Sequence, residues 1–150
     1  MTRKLLYIDL DNVLVDFPSG IEQLDTLTRQ AFDGRLDEVP NIFSLMKPMP
    51  DAIDSFNELA EVFDTYILST SPWENPSAWS DKLNWVKAHL GPKAYKRLIL
   101  SHHKNLNRGD FLVDDRDKNG VDKFEGKVIL FGSEQFPDWK VTKEYLFSRV

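Results

Sequence analysis

The sequence predicts an α/β fold: a Rossmann-like parallel sheet flanked by helices as a three-layer sandwich, with a small helical cap inserted after the first strand. Three observations predict it. Five short apolar runs, KLLYI (4–8), TYILST (65–70), RLILS (97–101), FLVD (111–114) and KVILF (127–131), are continuous, not alternating, as expected of strands buried on both faces of a parallel sheet. Amphipathic helical patterns separate several of these runs, the signature of strand–helix–strand crossovers. Polar residues capable of chemistry gather where the runs end, and ligands in open α/β sheets bind outside the carboxyl ends of the strands.

The chain has 150 residues, 41% hydrophobic and 29% charged, which suits one globular domain over 1–150. A net charge of −5 argues against extended nucleic acid as a partner, because such binding draws on basic patches, but leaves room for a small anionic ligand. No cysteine is present, so disulfide and thiolate chemistry are excluded, which fits a reducing compartment. The apolar run before Asp9 is shorter than the roughly 7–15 residues of a secretory core. No stretch nears the roughly 18–20 of a membrane span. The expectation is a cytoplasmic protein with no membrane partner.

Taken in order, the first strand runs into Asp9 and Asp11 in LLYIDLDNVLVDF. Residues 18–47 then break the strand–helix rhythm: a helical pattern around IEQLDTLTRQAF is followed by a stretch without periodicity, and Pro40, Pro48 and Pro50 stiffen its return. Lying at the carboxyl end of the first strand, this insertion is placed to cover a site. Pro50 and Asp51 signal a helix over 51–62, with Ile53, Phe56, Leu59 and Ala60 on one face. The second strand ends in Ser69, Thr70 and Ser71. A helix over 77–90 carries Trp79, Leu83, Val86 and Leu90 on one face and stops at Gly91-Pro92. Lys104 follows the third strand, and Asp114 and Asp115 end the fourth.

Residues i and i+2 of a strand point the same way, so Asp9 and Asp11 can share one side. With Asp114 and Asp115 they place four carboxylates in one crevice, an arrangement that calls for a cation. Oxygen ligands without nearby His or Cys favour Mg²⁺ over zinc. The set also has the parts of phosphoryl chemistry. A carboxylate, Asp9, can attack phosphorus, and a second, Asp11, can move the proton of the leaving alcohol and then of water. Thr70 and Lys104 can hold phosphoryl oxygens.

In that order and on that pattern, IDLDNVLVDF, ILSTSPW, Lys104 and FLVDDR resemble the four motifs of the haloacid dehalogenase-like hydrolases. DLDNVLVDF, KPMPDAIDSFNEL, TSPW and LVDDR are similar to the 5'(3')-deoxyribonucleotidases in particular, over most of the chain except residues 18–47. The resemblance implies Asp9 as nucleophile and Asp11 as general acid and base, with the backbone carbonyl of Asp11 also on Mg²⁺. It implies Thr70 and Ser71 as phosphate ligands, Lys104 as the third-motif cation, Asp115 as a direct metal ligand, and Asp114 acting through water. Phe17 and Phe43 would line the substrate pocket. The chain departs from the family in two ways: Asn12 stands where Gly is usual, and the cap is short. Asn tolerates a left-handed turn, so the turn is expected to form.

Each feature has a plainer reading. A lone DxD is often a solvated turn; Thr70 and Ser71 alone are turn residues before Pro72; Lys104 alone is a surface lysine. His102 and His103 read as surface residues or neighbours of a site. Trp73, Trp79 and Trp85 could stack on a base, although Trp79 and Trp85 fall within a helix and read as packing. DRDKNG (115–120) imitates the opening of a calcium-binding EF-hand loop, but its twelfth position is Gly126, not Glu, so Asp117 and Asn119 are read as turn residues. The expected function is Mg²⁺-dependent hydrolysis of a small phosphomonoester, a nucleoside monophosphate by resemblance. The alternatives are another phosphate ester, phosphotransfer, or a catalytically silent phosphate-binding protein.

Overall fold

In the computed structural model, residues 2–150 are described. Five strands form one parallel sheet: β1 (Leu5–Ile8), β4 (Asp64–Ser69), β5 (Leu98–Leu100), β6 (Phe111–Asp114) and β7 (Lys127–Leu130), in the order β5-β4-β1-β6-β7. All five were anticipated from their apolar runs. The strand order changes direction between β1 and β6. That is the topological switch point at which open α/β sheets bind ligands. Asp9 directly follows β1, and its amide donates to the carbonyl of Val113 in β6 (2.9 Å).

The two faces of the sheet are covered unequally. Leu6, Ile8, Ile67, Val113 and Ile129 belong to the larger core, together with side chains of α3 (Ala52–Val62), α4 (Pro76–His89) and α5 (Trp139–Phe147). The alternate residues Tyr7, Leu68 and Leu112 pack with Val121 and Phe124. Here the connections are single 3₁₀ turns at Lys104–Leu106 and Val121–Lys123, so the third layer is thin. The short turns keep the Lys104 loop close to the sheet.

The helical segment expected around IEQLDTLTRQAF is split in two. The insertion is fenced by a two-residue ladder, β2 (Val15–Asp16) against β3 (Lys47–Pro48). Between them lie α1 (Phe17–Ile21), α2 (Thr26–Ala31) and 3₁₀ turns at Leu36–Glu38 and Ile42–Leu45. The helical pattern breaks at Asp25, whose side chain caps α2 by accepting from the amide of Thr28 (2.6 Å), a turn-and-cap preference that overrides helix continuation. The N-terminus of α4 ties this segment down. Asn75, buried, donates through Nδ2 to the carbonyls of Asp37 and Val39 (both 2.9 Å), and the Trp85 indole donates to the carbonyl of Met46 (3.0 Å).

Two helix details differ from expectation. Asp51 precedes α3 but takes a left-handed conformation (φ 64°) and makes no side-chain cap. The buried stripe of α4 is Ala78, Lys82, Trp85 and Val86, while Leu83 is exposed. The inward face is therefore turned about one residue from the apolar stripe read in the sequence. The cause is Lys82, whose charge finds buried partners and so takes an inward position that hydrophobicity alone assigns elsewhere.

Candidate active site

The β1–α1 turn sets the first two carboxylates. Asn12 stands at φ 62°, its amide donates to the carbonyl of Val15 (2.7 Å), and the amides of Val13, Leu14 and Val15 all return to the carbonyl of Leu10. The left-handed turn expected of Asn12 is formed. From the far side, the buried Trp139 of α5 donates its indole N–H to the carbonyl of Val13 (2.7 Å), bracing the turn against the core.

Asp9 is buried, and its Oδ1 accepts from Lys104 Nζ (3.1 Å), which also donates to Asp114 Oδ2 (2.6 Å). The other Asp114 oxygen accepts from the amide of Arg116 (3.1 Å). Lys104 reaches this position because its amide donates to the carbonyl of Asn119 (2.7 Å). Gly120 (φ 85°) lets the two loops approach, since a Cβ there would meet Asn105 Oδ1 at 2.2 Å. The DRDKNG stretch thus serves as the turn that seats Lys104, as its plainer reading held.

A second buried lysine was missed in the sequence. Lys82 donates to Asp11 Oδ2 (3.0 Å), Ser69 Oγ (2.9 Å) and the carbonyl of Thr70 (2.6 Å), and lies 4.6 Å from the centre of the Phe43 ring. An ammonium has three donors, and all three are spent, so Lys82 orients Asp11. Lys104 spends two and keeps one. The only sequence signal for Lys82 was its place four residues after Ala78 and three before Trp85, on one helical stripe.

The nine residues singled out in the sequence, Asp9, Asp11, Phe17, Phe43, Thr70, Ser71, Lys104, Asp114 and Asp115, all border one cavity of about 610 Å³. They do not play equivalent parts in its geometry. The Thr70 hydroxyl donates to the carbonyl of Ser101 (2.7 Å), joining two loops. Ser71 Oγ is buried without a hydrogen-bond partner, as is Asp11 Oδ1; such groups are costly unless something binds them. Phe43 is buried against Lys82 and meets Phe17 edge-on at 5.8 Å. His102 borders the cavity and His103 is exposed.

Carboxylate oxygens of Asp9, Asp114 and Asp115 lie within 4.8 Å of one another. Burial raises the Asp9 carboxyl above its usual range, with Asp114 adding and Lys104 opposing. Burial also raises Asp11, against Lys82. Asp115 is pushed up to about 7 by burial and by the charges of Asp9 and Asp114. Burial would lower Lys104, but Asp9 and Asp114 outweigh it and its net shift is upward. Four carboxylates against two buried lysines leave a formal charge of −2, so the crevice is built for a divalent cation held by oxygen.

The architecture is that of the haloacid dehalogenase-like hydrolases. A hydrolase of that kind from Xanthomonas campestris aligns with a TM-score of 0.54 over 98% of this chain and 96% of its own, at 8% identity. One from Streptococcus pneumoniae aligns at 0.52 over 84% and 83%, at 14% identity. Sequence narrows the class. The family described as "5' nucleotidase, deoxy (Pyrimidine), cytosolic type C protein" matches residues 22–139, and the chain belongs to it. A protein of Vibrio phage KVP40, provisionally named a 5'(3')-deoxyribonucleotidase, is 55% identical over 97% of this chain and 86% of its own. The human cytosolic-type 5'(3')-deoxyribonucleotidase is 28% identical over 89% and 75%. Among the described residues, no helix is long and apolar enough to cross a membrane.

Proposed function

We propose that the protein is a Mg²⁺-dependent nucleotidase that hydrolyses nucleoside monophosphates through a phospho-Asp9 intermediate. The observation that carries the reading is the crevice itself: Ser71 and Asp11, each with a buried, partnerless polar atom (Oγ and Oδ1), line one cavity with Asp9, Asp114 and Asp115, whose carboxylate oxygens converge. Family membership supports the nucleotide as substrate. The family description also supports a cytosolic setting, and the inserted segment 18–47 acts as the cap.

Asp9, Asp114 and Asp115 would hold Mg²⁺, which when bound offsets phosphate charge so that an anionic nucleophile can approach. The phosphoryl group is received by the Ser71 hydroxyl and by the donor Lys104 has left free. An Asp9 carboxylate oxygen forms the bond to phosphorus while the ester bond to the nucleoside oxygen breaks. Asp11, its carboxyl raised by burial, gives its proton to that oxygen. Asp11 then takes a proton from water, whose oxygen attacks phosphorus and releases phosphate, restoring Asp9. Lys82 keeps Asp11 aimed throughout. Thr70 contributes by holding the Ser101 loop.

The test is a release assay for inorganic phosphate across deoxyribonucleotides, ribonucleotides and sugar phosphates, with Mg²⁺ or chelator, beside Asp9→Asn. Nucleotide hydrolysis that needs both Mg²⁺ and Asp9 is expected. Activity indifferent to either overturns the mechanism, and hydrolysis of sugar phosphates alone overturns the substrate.

A further inference from the structure

A nucleotidase must hold a base as well as a phosphate, and two cap aromatics, the buried Phe43 and the half-buried Phe17, border the cavity. Phe43 is buried with Lys82 near its ring, and Phe17 packs edge-on against it. The most exposed aromatic bordering the cavity is Trp73, 76% exposed. An indole left open beside a polar crevice offers a flat apolar face on which a planar ring can stack.

Trp73 is held ready on a built support. It follows Ser71 and Pro72 directly, so it stands two residues from the partnerless hydroxyl. The carbonyl of Pro72 accepts from the Trp79 indole of α4 (3.1 Å). The Trp73 ring meets Trp79 at 6.5 Å and 72° and His102 at 5.9 Å and 74°. His102 in turn rests on Trp79, 6.0 Å away. The loops carrying Trp73 and His102 are joined through Ser101, whose amide donates to the carbonyl of Ser69 (2.8 Å) and whose carbonyl accepts from Thr70. Three elements therefore fix one ring without covering it.

We propose that Trp73, braced by Trp79 and His102, is a stacking surface for the nucleobase, so that selection of a base-bearing leaving group is built in part on the loop after β4. This rests on the nucleotidase reading above. Stacking is tolerant of base identity because every base has a π face, so the ledge selects nucleotides over ring-free esters more than one base over another.

The experiment compares kcat and KM of the unsubstituted protein, Trp73→Ala and Trp73→Phe on a deoxyribonucleoside 5'-monophosphate and on β-glycerophosphate, with Mg²⁺. Trp73→Ala is expected to raise KM for the nucleotide about tenfold and to lower the nucleotide-to-glycerophosphate ratio of kcat/KM by a similar factor. Trp73→Phe should recover most of that ratio. In Asp9→Asn protein, the same nucleotide should quench tryptophan fluorescence, and Asp9→Asn with Trp73→Phe should lose the quench. A ratio unmoved by Trp73→Ala, with nucleotides still hydrolysed, overturns the stacking role alone, as does a fall shared equally by both substrates. Failure of the unsubstituted protein to hydrolyse any nucleotide overturns the nucleotidase reading, and the stacking role with it.

Discussion

Asp9 and Asp11 are two residues apart, yet each lies on a different flank of the crevice and is served by its own buried lysine. On the β6 flank, Lys104 joins Asp9 to Asp114 and keeps one donor free. On the β4 flank, Lys82 spends all three donors on Asp11, Ser69 and Thr70. The difference teaches that like charge does not imply like work. In the proposed mechanism the lysine with a spare donor receives the phosphoryl group, while the saturated one fixes the direction of a carboxylate.

The largest expected effect tests the β6 flank at its reacting atom. Asp9→Asn should lower kcat by about 10³-fold or more, because the amide is not a nucleophile toward phosphorus, while circular dichroism stays unchanged. Next comes the contrast between the lysines. Lys104→Met leaves two buried carboxylates without their cation and should cost about 3–5 kcal/mol of stability, with a higher KM in whatever folded protein remains. Lys82→Met strands one carboxylate, Asp11, where Lys104→Met strands two, and should cost about 1–3 kcal/mol; its kcat should fall with KM little changed. Urea denaturation and steady-state kinetics separate the two, and equal effects on KM would end the proposed division of labour.

Asp115 makes the crevice sensitive to pH. Its carboxyl sits at about 7 in the folded protein against a usual 3.8, so the folded state holds a proton that the unfolded chain has released. That contribution to stability is full below about pH 4 and is lost as pH rises through 7. Metal-free protein in chelator should therefore lose melting temperature from this group between about pH 4 and 7, with the loss levelling off above that. Mg²⁺ competes with the same proton, so its affinity, read by calorimetry, should weaken about tenfold per unit below pH 7. The smallest effect on catalysis lies behind the site. Trp139→Phe removes one hydrogen bond to the Val13 carbonyl and leaves a void in the core, so it should cost about 2–3 kcal/mol in a thermal melt while kcat falls less than in Lys82→Met.

The sequence by itself determined the sheet, because five continuous apolar runs have no stable place except between covered faces. It also located the polar strand ends, since a parallel sheet sets them along one edge, and Asn12 was legible as a left-handed turn because few other residues tolerate it. What only the tertiary structure decided depends on partners distant in sequence. Lys82 is 71 residues from Asp11, and nothing local marks a helical lysine as buried. Thr70 and Ser71 are neighbouring hydroxyls of similar chemistry, and in the fold one donates to the carbonyl of Ser101 while the other is partnerless. Trp79 was legible as a helix residue, but the bracing of the exposed Trp73 ring by Trp79 and His102 appears only in the packed molecule. Periodicity records which side chains leave water. The pairing of buried charges and hydroxyls is settled by three-dimensional proximity, which the fold alone supplies.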